Sequence, residues 1–281
     1  MLGMKLSLLY TLLALFLSSL LHAKTDKVFR VVIDPGHGGK LVKGRNDGTQ
    51  GSHGVSHNNA QVTLKDGSVV LEKDLVLEYA KALKIALEKY DNIEVTLTRD
   101  DDSSPSAMMR AAIAVEQQAD VFLSLHFNSG GGKGPRAYVV ADDHFAWQYI
   151  HFVNPYIKRD IVLATHMVKS LELAFKPFGG KKSDIRVFND TVEPDQSNGL
   201  GKGNLIDGIR SIGYARMDTH MFNAAVVLLE IEFLDTEGYS EFLTGKDKAK
   251  VMQQAVAYMA SSINAYKKAQ VLIKEPIPAR R

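Results

Sequence analysis

Two histidines and a glutamate in this chain are placed as metal ligands could be. His37 follows the apolar run Val31-Val32-Ile33 and lies in the turn Asp34-Pro35-Gly36-His37-Gly38-Gly39. His126 follows a second apolar run, Val121-Phe122-Leu123-Ser124-Leu125, and precedes Phe127-Asn128-Ser129. Between them Glu72 opens an amphipathic segment. Two neutral imidazoles and one carboxylate are a catalytic zinc set that leaves a fourth position open. A further carboxylate, Glu230, ends the apolar run Val226-Val227-Leu228-Leu229 and can serve in proton transfer. Glu232, two residues on, shares its strand face and competes for that role.

The elements that must hold these residues alternate. Val28 to Ile33, Ile93 to Thr98, Val121 to Leu125, Ala137 to Val140 and Val226 to Phe233 read as strands. Glu72 to Lys89, Ser106 to Gln118, Asp160 to Phe175 and Lys246 to Lys268 read as helices, with Ser104 or Ser106 and Asp160 as caps. Lys40 to Ser68, Asp142 to Arg159 and Gly180 to Gly213 read as loops or insertions, with a short strand near Gly213 to Met217. Such alternation predicts an α/β fold: a mostly parallel twisted sheet, helices on both faces, and a site beyond the carboxyl ends of the strands. No repeat or linker divides the chain, so one catalytic domain over 28–268 and a tail over 269–281 are expected.

Composition narrows the classes. The chain has 281 residues, 45% of them hydrophobic, 23% charged, and a formal net charge of +2. Its lysines are scattered, which excludes a nucleic-acid stripe. Residues 1–23 form a signal peptide pattern: Lys5, an apolar stretch from Leu6 to Leu21, then Ala23. The mature protein is therefore expected to be periplasmic or secreted, without stable membrane insertion once that segment is removed; the rival reading of the same segment is an uncleaved membrane anchor. Cysteine is absent, which rules out disulfides, a lipid-modified cysteine and thiolate zinc ligands.

Four separated blocks now stand in order: Val31 to Gly39; Glu72-Lys73-Asp74; Thr98-Arg99-Asp100 with Arg110, Ala119-Asp120 and Ser124 to Asn128; and Leu228 to Leu234. Together they resemble the zinc-dependent N-acetylmuramoyl-L-alanine amidases, the amidase_3 type of peptidoglycan hydrolase. The resemblance implies a phosphorylase/hydrolase-like fold and Zn2+ bound by His37, Glu72 and His126, with Glu230 catalytic. It also implies cleavage of the amide joining the lactyl group of N-acetylmuramic acid to L-alanine of peptidoglycan stem peptides. It identifies no protein activator. This chain departs from the family in a longer stretch between His37 and Glu72, in Glu232 at a common glycine position, and in Ala114-Val115 for a common Ala-Asn pair. Two other functions fit the same residues: a zinc peptidase or deacylase on another amide, and a catalytically silent wall-binding protein. Arg99 and Arg110 are expected to pair with the acids at Asp100 to Asp102. His53, His57, His144, His151, His166 and His220 read as loop or helix-surface residues, with His53 or His57 able to touch substrate. Asp142 to Arg159 or Lys181 to Thr219 is expected to wall or cover the site.

Overall fold

A computed structural model describes residues 28–39, 60–145, 150–153, 155–189, 224–236 and 241–272. The segment 1–23, His53, His57, His220 and the expected strand near Gly213 lie outside the described residues.

Nine strands and five α-helices are seen among them: β1 (Phe29–Pro35), β2 (Gln61–Thr63), β3 (Val69–Leu71), α1 (Glu72–Leu87), β4 (Ile93–Leu97), α2 (Ala107–Glu116), β5 (Val121–Asn128), β6 (Arg136–Phe145), β7 (Ile150–Val153), α3 (Ile157–Phe175), β8 (Asp184–Asn189), β9 (Ala225–Phe233), α4 (Glu241–Thr244) and α5 (Lys248–Leu272). A seven-stranded sheet runs in the order β4-β1-β5-β9-β6-β7, with β8 paired to β6. From β4 to β9 the strands are parallel, β6 is antiparallel to β9, and β8 is parallel to β6. The expected α/β class with a mostly parallel sheet holds, and its antiparallel pairs are β6 with β9 and β6 with β7.

Period-two alternation sorts each central strand onto two faces. Val31, Ile33, Leu123, Leu125, Val227 and Leu229 join one large core with the buried faces of α1, α3 and α5. Val32, Phe122, Val226 and Leu228 face the other way, with Ala111 and Ala114 of α2. Polar residues occur on this second face just where its apolar run stops: Asp34, Ser124, His126 and Glu230 share the parity of Val32, Phe122 and Leu228.

The chain order makes the crevice. From β1 it crosses through α1 to β4 on one side, then returns through α2 to β5 on the other. The strand order thus reverses at β1, and the connections leaving the carboxyl ends of β1 and β4 run to opposite faces of the sheet, the arrangement at which ligands bind in such sheets. Leu75, Val76, Tyr79, Leu83 and Leu87 anchor α1 at helical spacing, which fixes Glu72 in its first turn.

Several boundaries differ from the sequence expectation. His126 lies inside β5, not after it, because that strand continues past its apolar run, whereas Glu230 lies within β9 as the expected strand over Val226 to Phe233 has it. Ser106, not Ser104, caps α2, accepting from the Met109 N–H at 3.3 Å. Asp160 is no cap: α3 starts at Ile157, and the buried Asp160 accepts the Val226 N–H at 2.9 Å, tying helix to strand. The stretch Lys40 to Ser68, expected as loop, contains β2, which pairs with β3 just after it, and β8 lies in another polar stretch. The final helix runs to Leu272, beyond the expected start of the tail.

Residues 142–145 and 150–153 do not wall the site. β6 begins at Arg136 opposite Glu230 and runs antiparallel to β9. Six residues later, roughly 20 Å along the strand, Asp142 to Phe145 pair with β7 at the opposite end of the sheet.

Candidate functional site

His37, Glu72 and His126 converge at the carboxyl ends of β1 and β5. His37 Nε2 lies 2.9 Å from Glu72 Oε1, His126 Nδ1 lies 3.0 Å from the same oxygen, and the two nitrogens are 3.1 Å apart. The rings meet edge to face, with centroids 4.8 Å apart. Each residue offers one ligand atom to a group able to hold a metal ion. Hydrogen bonding cannot satisfy this triangle. If both nitrogens donate to Glu72, their protons confront one another; if one accepts instead, its lone pair faces the carboxylate. A single cation satisfies all three. A tetrahedral zinc with bonds of about 2.0–2.2 Å sets its ligand atoms roughly 3.3 Å apart, close to the spacing present.

Backbone groups aim the glutamate. Glu72 Oε2 accepts the Ala60 N–H at 2.8 Å and Oε1 accepts the Phe127 N–H at 2.9 Å. Burial raises the Glu72 carboxyl, but the His37 charge and bonds from both histidines outweigh it and bring the pKa to about 2. Burial drives His37 below the ordinary imidazole value against the pull of Glu72, favouring the neutral, ligating form. His126 moves up: burial opposes, but Glu72, Glu230 and Asp34 prevail.

His37 has a left-handed backbone, φ 58, which is uncommon for a residue with a Cβ. Two arginines hold it there. Arg110 donates to the backbone carbonyls of Pro35 at 2.8 Å and His37 at 2.6 Å, and pairs with Asp34 at 2.7 Å. Arg99 donates to Pro35 O at 2.9 Å, Gly36 O at 2.6 Å and Lys73 O at 2.8 Å, tying the His37 turn to the helix turn of Glu72. Asp34 also accepts from Thr98 Oγ1 and, at 2.7 Å, from Ser124 Oγ, two residues before His126. The expected pairing with Asp100 to Asp102 is therefore corrected. Arg99 meets only the backbone carbonyl of Asp101, Arg110 pairs with Asp34, and it is Lys73 that takes the Asp102 carboxylate, at 2.6 Å. Strand ends leave carbonyls unpaired, and planar guanidinium forks suit them.

Arg110→Ala leaves Asp34, 1% exposed, as an uncompensated buried charge. The expected cost is about 3–5 kcal/mol, read as a lower denaturation midpoint. A loss below about 1 kcal/mol would show that the pair contributes little. Gly36→Ala tests the packing beside the ligands: a Cβ there would meet His126 Cε1 at 2.3 Å. Its expected effect is a metal affinity weaker by on the order of 10–100-fold, the range seen when supporting contacts of ligands are disturbed. Unchanged affinity by chelator competition would refute it.

Glu230 adjoins His126 in register on β9 and stands outside the three-residue group. Its Oε2 is buried without a hydrogen-bond partner. Burial pushes its carboxyl up to about 8; His126 and Arg136 oppose this and Glu72 adds to it. Glu232 is fully buried and serves the backbone, accepting N–H bonds from Gly134 at 2.6 Å and Phe233 at 2.9 Å. Asn128 shapes its turn by accepting the Ser129 N–H at 2.8 Å. His166 lies in α3, and His144 and His151 lie in β6 and β7.

The family model for N-acetylmuramoyl-L-alanine amidases matches residues 31–261, a span that includes every residue of this site. The chain belongs to that family. The amidase CwlM of Bacillus licheniformis is 28% identical over 249 residues, covering 83% of this chain and 86% of that protein. A sporulation-specific amidase of Bacillus subtilis is 34% identical over 114 residues, though the match spans 36% of its length. The amidase fold recurs in the catalytic domain of CwlV from Bacillus (Paenibacillus) polymyxa var. colistinus, with TM-score 0.54, 20% identity, and coverage of 85% of this chain and 98% of that one. Ami1 of Mycobacterium smegmatis gives TM-score 0.57 at 17% identity, covering 87% and 99%.

Proposed function

We propose that this amidase is zinc-dependent and hydrolyses the amide between the lactyl group of N-acetylmuramic acid and L-alanine of peptidoglycan stem peptides, outside the cytoplasm. The observation that carries the proposal is the triangle of donor atoms from His37, Glu72 and His126 beside Glu230.

Amides are weak electrophiles with poor leaving groups. Zinc held by His37, Glu72 and His126 supplies Lewis acidity to the scissile carbonyl and acidifies a water molecule. Neutral His37 and anionic Glu72 are the protonation states that ligation requires. Ala60 and Phe127 keep the glutamate aimed, and the arginine bonds keep the His37 turn from relaxing. Glu230, with its unpartnered Oε2, accepts a proton from the attacking water and delivers it to the departing L-alanine nitrogen.

The sequence supports export by residues 1–23, a catalytic domain over 28–268 and a following tail. Among the described residues no helix is long and apolar enough to cross a membrane. The bond cut separates the proposal from a peptidase on the same wall. Purified protein acting on sacculi should generate new amino-terminal L-alanine. Any other new amino terminus, without alanine, assigns the site to another amide.

A further inference from the structure

Arg136 opens β6 directly opposite Glu230 of β9. Residues opposed across an antiparallel pair project from the same face, with Cβ atoms about 4.5–5.5 Å apart. Arg136 therefore emerges beside the proposed proton shuttle, on the face that carries His126. Its guanidinium carbon lies 4.7 Å from the centroid of the Phe233 ring. That ring is fixed: Phe233 is 3% exposed, and a Cβ on Gly132 would meet it at 2.2 Å. Stacking sets the orientation of the guanidinium but satisfies none of its five N–H donors.

Those donors meet no acceptor among the described residues. Arg99 and Arg110 make several hydrogen bonds each. Among the described residues the Arg136 guanidinium has none, and Glu230 Oε2 beside it accepts none either. The two groups are neighbours without forming a bonded pair. A half-buried guanidinium, stacked in place at the mouth of a hydrolytic site, is prepared for a planar anion.

We propose that Arg136 is a specificity-determining residue that receives a carboxylate of the stem peptide, on the amine side of the scissile bond. The inference rests on the amidase assignment. In that substrate the lactyl carboxyl is consumed in the scissile amide, so free carboxylates near the bond belong to the peptide. Two parallel N–H···O bonds match guanidinium to carboxylate, and the Phe233 platform holds the plane they require. A carboxamide in the same place offers one oxygen, no charge, and an NH2 that faces the donors of Arg136.

The test uses two muramyl peptides that differ only in one stem carboxyl, free or amidated, with the wild-type holoenzyme, Arg136→Gln and Arg136→Lys. The wild type should prefer the free acid in kcat/KM by on the order of ten- to a hundredfold, the range for bonds to charged groups, expressed mainly in KM. Arg136→Gln should erase that preference, and Arg136→Lys should restore only part of it, because a point charge lacks the fork. Calorimetric binding of both peptides to the same proteins, in the Glu230→Gln background, should show the same order. The proposal is overturned if Arg136→Gln keeps the wild-type preference. It is equally overturned if the wild type has none and the variant loses kcat alike on both peptides, which would assign Arg136 to tuning Glu230. If the wild type cleaves neither peptide, the amidase assignment fails, and the binding arm still decides whether Arg136 selects the carboxylate.

Discussion

Glu230→Gln is expected to lower turnover on peptidoglycan by on the order of a hundred- to ten-thousandfold, while zinc content and thermal stability stay at the wild-type level. Gln preserves size and hydrogen-bonding capacity but cannot accept the proton of the attacking water. Metal is retained because Glu230 lies outside the group of His37, Glu72 and His126. The fold is retained because Glu230 Oε2 makes no hydrogen bond that the change would break. Glu232→Gln should behave in the opposite way. Its carboxylate accepts the Gly134 and Phe233 N–H groups, so stability should fall before the chemistry is touched. If Glu230→Gln remains active and Glu232→Gln is folded but dead, the roles must be exchanged. If Glu230→Gln loses zinc, Glu230 is itself a ligand and another base is needed.

His37→Ala and His126→Ala should each lose zinc and activity together. Each removes one corner of a triangle whose edges are 2.9, 3.0 and 3.1 Å. The loss in affinity should exceed the roughly 10–100-fold that follows disturbance of residues merely supporting a ligand. His126→Ala carries the larger structural penalty, since its ring also fills the space against Gly36. Zinc analysis of dialysed protein, with circular dichroism to verify folding, reads both outcomes. Full zinc occupancy in either folded variant would remove that histidine from the ligand set.

Most of the site was legible because it follows strand ends. Apolar runs ending in His37, His126 and Glu230 mark where buried strands meet the crevice, and the helical spacing from Leu75 to Leu87 marks the face that fixes Glu72. What the sequence concealed depends on tertiary register. Asp34 looks like a turn residue, yet strand parity directs it to Arg110, Thr98 and Ser124. Arg99 and Arg110 stand near a run of aspartates, so local charge suggested partners that the fold does not supply; their donors go to carbonyls some 60–75 positions earlier in the chain. By periodicity Glu230 and Glu232 fall on one strand face and cannot be told apart; in the structure the register shifts between the pairs His126–Glu230 and Asn128–Phe233 and breaks that alternation. They separate only because one meets His126 in register and the other meets the glycine loop. Arg136 follows a glycine-rich turn without any local signal, and its place beside Glu230 comes from antiparallel pairing. β2 and β3 carry no legible signal because three residues are too few to show a period, and the Ile185/Val187 alternation of β8 is short and set in a polar stretch.

Mass spectrometry of fragments released from purified sacculi tests the central claim most directly. The protein is assayed as purified, after chelation, and after zinc is restored. The expected result is release of stem peptides with free amino-terminal L-alanine, abolished by the chelator and recovered with zinc, while the glycan strands remain uncut. Undiminished release from protein shown to be metal-free, or fragments produced by cleavage of any other bond, would contradict the account.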